Sequence, residues 1–143
     1  MIVPDVNVLV HAYNSDSALH ARARRWWESA LSAPEPVGLA WVVALGFVRL
    51  CTHARVFSNP LTVDLAVGHV EGWLAQPQVA LLHPGNGHAS LLFGLLRRLG
   101  SAGNLTTDAH IAALAIEHRA EVQSTDADFA RFPGLRHRNP LTG

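Results

Sequence analysis

The chain has 143 residues, 49% of them apolar and 15% charged, with 11 basic and 11 acidic residues and a formal net charge of zero. That is the composition of one globular domain over 1–143 with a sizeable core, and it excludes a disordered or low-complexity chain. No run approaches the roughly 18 uninterrupted apolar residues of a membrane span, and a zero net charge gives no bulk basicity pointing to nucleic acid. The single Cys51 excludes an intramolecular disulfide framework and every thiolate zinc pattern. "MIVPDVNVLV" has neither the basic flank nor the small-residue cleavage site of a signal peptide, so a cytoplasmic location is expected.

In chain order, Ile2 to Asp5 reads as a short buried strand with Pro4 at its end, where a missing amide costs least. "NVLVHAYN" continues as a turn or two of helix. Ser17 is a candidate N-cap for a helix from Ala18 to Leu31, with Leu19, Ala23, Trp26 and Ala30 on one face. "VGLAWVVALGFVRLCTH" is the most apolar segment. Its length predicts a short strand, then a buried helix over about Ala40 to His53. Thr62 caps a helix running to about Ala75. "PQVALLHPG" is a strand between Pro77 and Pro84, followed by a helix from Asn86 to Leu99 that Gly100 ends. "LTTDAHIAALAIEH" is another helix, opened by the capping run Thr106 and Thr107. "AEVQST" is a strand, "DADFARF" a short helical turn and "GLRHRNPL" a last strand or tail. Short strands alternating with helices of about 10 to 15 residues predict an α/β domain with a parallel sheet and helices on both faces.

Ligands of open parallel sheets bind beyond the carboxyl ends of the strands, where the strand order reverses. Four of the six aspartates fall at such places: Asp5 closing the first strand, Asp108 opening the late helix, and Asp126 and Asp128 just past the strand that follows. Each alone is explained as a cap or turn residue. Together, like charges raise one another's pKa unless something neutralises them. An all-oxygen donor set without thiolate suits Mg²⁺ or Mn²⁺, which can activate water for in-line displacement at phosphorus. His110 lies about 200° round the helix from Asp108 and reads as a surface or satisfied histidine. Glu117, about 13 Å further along, cannot reach the same ion. All 11 basic residues are arginines. The clusters Arg22 to Arg25 and Arg97–Arg98 read first as solvated helix faces, although arginine forks also bind phosphate.

"PDVNVLV" (4–10), "LTTDAHIAALAIEH" (105–118) and "STDADFARFPGL" (124–135) resemble a PIN-domain ribonuclease, above all the VapC toxins of bacterial toxin–antitoxin pairs of the mycobacterial type. "RVFSNPLT" and "WLAQPQVALLHPG" extend the likeness over nearly the whole chain. The resemblance implies a three-layer α/β/α fold with a central parallel sheet of 4–5 short strands. It implies a Mg²⁺- or Mn²⁺-dependent endoribonuclease acting on tRNA or another structured RNA. Asp5, Asp108 and Asp126 match the family's metal-holding acids, Asp128 an assisting one, and Asn7 a residue that orients Asp5. It also implies a VapB-type antitoxin that blocks the site, and a homodimer. Relatives often carry Glu on the site-facing side of the central apolar helix; here that position is Gly46. Two readings follow: a site of three or four aspartates with water as the remaining ligands, or a module that binds RNA or antitoxin with little cleavage. Arg49, three positions on, is the expected RNA-binding arginine. A phospho-accepting signalling module, which also gathers aspartates at strand ends, is disfavoured by the absence of lysine.

Overall fold

The computed structural model describes residues 1–142. Strands β1 (Ile2–Pro4), β2 (Val37–Ala40), β3 (Val79–Leu82), β4 (Glu121–Gln123) and β5 (Arg136–Arg138) form one sheet in the order β3-β2-β1-β4-β5. Every neighbouring pair is parallel. The helices α1 (Val6–Tyr13), α2 (His20–Ser32), α3 (Trp41–Cys51), α4 (Val63–Leu74), α5 (His88–Leu99) and α6 (Thr106–Glu117) make the connections. The α/β/α expectation holds, with five strands, and "RHR" is a strand rather than a tail.

The chain starts in the middle of the sheet, winds out through β2 to β3, then returns past β1 to lay down β4 and β5. The order therefore reverses between β1 and β4. Their register pairs Ile2 with Glu121, Val3 with Val122 and Pro4 with Gln123. Pro4 is the last residue of β1, and the next amide, Asp5 N–H, donates to Gln123 O at 2.9 Å. A proline is thereby accommodated in a central strand.

The inner strands are buried along their length, as expected of a sheet covered on both faces. Val3, Leu39 and Val122 pack with Leu9, Phe47, Ile111, Leu114 and Phe129, all inaccessible or nearly so. Tyr13 anchors an aromatic cluster: Phe47 meets it edge-on, and Trp73 donates its indole N–H to Tyr13 Oη at 2.9 Å. Cys51 is wholly buried, and burial pushes its thiol up to about 12, so it is an inert core residue.

Local expectations differ at the helix starts. Thr62 caps α4, accepting from Leu65 N–H at 3.2 Å. Ser17 does not cap α2; the helix begins at His20, and the Ser17 hydroxyl instead accepts from Leu19 N–H and bonds His11 Nδ1. Trp27, with Ala23, forms the fully buried part of α2, and Trp26 is only half-buried. The helix after β3 begins at His88, not Asn86. A 3-10 turn, Gly103–Leu105, leads into α6, and Thr106 Oγ1 donates back to Gly103 O instead of capping forward.

Candidate active site

The geometry starts from Asp5. It is the N-cap of α1, its Oδ1 accepting from Val6 N–H at 2.8 Å, and it is only 4% exposed. Across the β1–β4 junction, buried Ser124 donates its hydroxyl to Asp5 Oδ2 at 2.7 Å. The Ser124 hydroxyl oxygen accepts from Asn7 Nδ2 at 3.2 Å and from Asp126 N–H at 2.9 Å. Asn7 Oδ1 accepts from Thr125 N–H at 3.3 Å. One serine thus ties the first strand's acid to the loop after the fourth. Asn7 acts on Asp5 through Ser124 rather than by touching it. Asp126 in turn caps the 3-10 turn Ala127–Arg131, its Oδ1 accepting from Asp128 N–H at 2.9 Å.

Asp108 projects from the first turn of α6 into the same region. Its carboxyl is pushed up to about 7, first by burial, then by the charges of Asp5, Asp126 and Asp128, with a hydrogen bond to the Asp126 side chain adding to the rise. Asp5 is also raised. Burial leads, Ser124 and Val6 N–H oppose it, and Asp126 adds repulsion. Asp126 thus caps its turn as expected, Asp5 caps a helix where a turn was expected, and the four aspartates also share one electrostatic environment. No cation is among the groups acting on Asp108.

This donor set, carboxylates and a hydroxyl without thiolate or imidazole, fits a hard divalent cation. Among the described residues, however, no three His, Cys, Asp or Glu side chains are drawn together tightly enough to surround one ion. A Mg²⁺ site needs only one or two carboxylates, because the ion keeps several waters.

Gly46 is buried in α3, and a Cβ there would lie 3.2 Å from Val6 Cγ2. α3 approaches the residue after Asp5 closely there, so a side chain at position 46 would press on Val6 by a few tenths of an ångström. Arg49 stands exposed in the last turn of α3.

The two groups set apart from the acids, His110 and Glu117, belong to a separate cluster. Glu117 Oε1 contacts His88 Nδ1, and its Oε2 accepts from Gly85 N–H at 2.9 Å. His88 Nε2 lies 2.9 Å from His110 Nδ1. A Cβ at position 85 would sit 2.7 Å from Glu117 Oε2, so any larger residue there would displace the carboxylate from this contact.

The PIN domain family model matches residues 2–135. The chain is a PIN-domain protein of the VapC ribonuclease family. It is 43% identical over 141 residues to Ribonuclease VapC33 of Mycobacterium tuberculosis, covering 99% of each chain. To Ribonuclease VapC37 of the same species it is 45% identical over 140 residues, covering 98% of this chain and 97% of that one. Among solved structures, Mycobacterium tuberculosis VapC20, a sarcin–ricin loop cleaving toxin, superposes with a TM-score of 0.69 at 21% identity, covering 95% and 99% of the two chains. VapBC2 from Rickettsia felis bound to a promoter DNA fragment gives 0.67 at 17% identity, covering 97% and 98%. At those identities the structures bear on the fold alone. For this PIN domain, Ser124 is the site residue that sequence reasoning passed over. Its only local signal is a hydroxyl two positions before Asp126.

Proposed function

We propose that this PIN-domain protein is the toxin of a type II toxin–antitoxin pair and cuts RNA, tRNA or another structured RNA, as a Mg²⁺- or Mn²⁺-dependent endoribonuclease. One observation carries the reading: carboxylates from both ends of the chain crowd the carboxyl ends of β1 and β4, and only other carboxylates act electrostatically on Asp108. The family's ribonucleases, 37–45% identical over nearly the whole chain, support it.

Asp5, Asp108 and Asp126 would hold the ion, and Asp128 adds negative charge at the rim. When bound, Mg²⁺ or Mn²⁺ neutralises these charges and activates water against a phosphodiester. Hydrogen bonds from Ser124 and Val6 N–H oppose the rise that burial gives the Asp5 carboxyl. Ser124, held by Asn7, fixes the side chain's direction. Asp108 retains its proton up to about neutrality and must release it before it can take a cation. Hydrolysis adds water across one P–O ester bond, leaving a terminal phosphate and a free hydroxyl. Arg49 is the proposed contact to the RNA backbone from α3.

The proposed partners are a VapB-type antitoxin covering the site and a second copy of the chain. Trp41 and Leu45, 47% and 62% exposed and one turn apart on α3, are apolar surface that such partners would cover. Purified protein given Mn²⁺ is expected to cut total RNA, and Asp5→Ala to lower the rate by about 10²–10³-fold or more. Equal cutting by the variant sinks the proposal. Gly46 and the lack of a ready three-ligand group favour a second reading, binding with little cleavage. Calorimetry separates the two: tight antitoxin binding without any Mn²⁺ uptake selects the second.

A further inference from the structure

The chain's neutrality conceals an arginine-rich edge beside the acids. β5 is an edge strand, and Arg136, His137 and Arg138 are all exposed. On α2, Arg22 and Arg25 are exposed and one turn apart, and with Pro140, Leu141 and Thr142 they line a recess of about 280 Å³. Arg22 donates to Leu141 O at 3.4 Å, which joins the helix to the chain leaving β5. Arg136 donates to Arg119 O, and Arg138 pairs at 3.4 Å with Glu121, the acid set opposite these arginines in β4. The backbone of this edge abuts the acidic site, because Ser124 N–H, from the residue that holds Asp5, donates to Arg138 O at 3.0 Å, and the Arg136 and Arg138 side chains extend from there toward Arg119 and Glu121 at the amino end of β4.

Charged residues on an edge strand also deter sheet-to-sheet association. That role does not require Arg22 and Arg25 on a neighbouring helix, nor a recess large enough for a phosphate between them. The large exposed hydrophobic residues lie elsewhere, on α3, α4, α5 and the loop after α3. Among the described residues, no exposed Phe, Tyr or Trp on this edge offers unpaired bases a stacking platform, and His137 is the one exposed ring on β5. Arginine forks bind phosphates bidentately, and an A-form stem presents its phosphates in a regular array recognised by shape.

We infer that Arg22, Arg25, Arg136 and Arg138 form a phosphate-binding track that seats the backbone of a base-paired RNA stem beside the acidic site. The inference rests on RNA being the substrate but not on cleavage. It also separates recognition from chemistry: the track, with Arg49, contacts the RNA backbone, and the aspartates serve the reaction.

The test uses the whole native chain in EDTA, with fluorescence anisotropy against KCl concentration for a short RNA hairpin and an oligouridine of equal phosphate count. The hairpin is expected to bind tighter. Arg25→Glu/Arg136→Glu is expected to weaken hairpin binding about tenfold or more at low salt and to flatten the salt dependence by about one unit of slope per arginine. Arg25→Lys/Arg136→Lys keeps the slope, which shows that the fold survives change at these positions. Arg97→Glu/Arg98→Glu on α5 leaves binding intact. An unchanged slope in the first variant overturns the track, as does equal weakening by the α5 variant. Equal affinity for oligouridine, or equal competition by polyglutamate, also overturns it and reassigns the edge to single strands or to an acidic protein segment. Cleavage in Mn²⁺ is scored separately. Cutting with an unaltered slope removes the track alone, and a lost slope with no cutting by the native chain removes the nuclease reading alone.

Discussion

Helix α6 carries ionisable groups at both ends, and the two ends are built differently. At its last turn, Glu117 meets His88 and the Gly85 N–H, and His88 passes on to His110. Each oxygen of the carboxylate has its own partner. At the first turn, Asp108 faces Asp5, Asp126 and Asp128, and its carboxyl rises to about 7. Partnered polar groups hold a fold together, whereas uncompensated like charges are tolerated where something outside the chain completes them. The same helix thus displays a partnered cluster and an uncompensated acidic one about two and a half turns apart.

The sharpest way to break that contrast is at the structural end. His88→Ala leaves Glu117 with one partner and is expected to cost about 1–3 kcal/mol of stability by denaturant titration, with cleavage per folded molecule retained. Loss of cutting at native stability would move the histidines into the active site. The next largest effect is on pH dependence at the acidic end. Asp108 is ordinarily half-protonated at 3.8 and in the fold at about 7, so the fold binds the extra proton between those values. Its stabilising effect is complete below about 3.8 and is lost as pH rises through about 7. In EDTA the melting temperature is expected to fall between pH 5 and 8. Asp108→Asn should flatten that fall, and a pH profile identical to that of the native chain would refute the account of the crowding. The smallest effect is expected at Gly46→Ala. The new methyl meets Val6 at 3.2 Å, while leaving glycine favours the helix by about 1 kcal/mol, so stability should move by less than that. A large loss in thermal denaturation would show that α3 cannot yield beside Asp5.

The acidic end was legible in the sequence and the partnered end was not, for a physical reason. Asp5, Asp108, Asp126 and Asp128 occupy strand ends and a helix start, places that parallel α/β topology reserves for ligands. Hydrophobic patterning located the first four strands, because short apolar runs leave a plain trace, whereas β5 is the exposed Arg136–Arg138 and read equally as a strand or a tail. Glu117 was recognisable as lying away from the acids by helical geometry alone. Its pairing with His88, 29 residues earlier, depends on how α5 docks on α6, and no local pattern encodes that. Ser124 escaped for a similar reason: its role exists only because β1 lies beside β4, 119 residues apart in the chain. Helix starts shifted by a few residues where side chains found other partners, as Ser17 did with His11.

The pairing of the first strand with the fourth has a consequence for biosynthesis. Asp5 leaves the ribosome 119 residues ahead of the serine that orients it. A prematurely terminated polypeptide carries the first acid but lacks Ser124, Asp126 and the β4 strand that places them. Translation products that stop before Ser124 therefore lack the pocket, which comes into being only once β4 has been made.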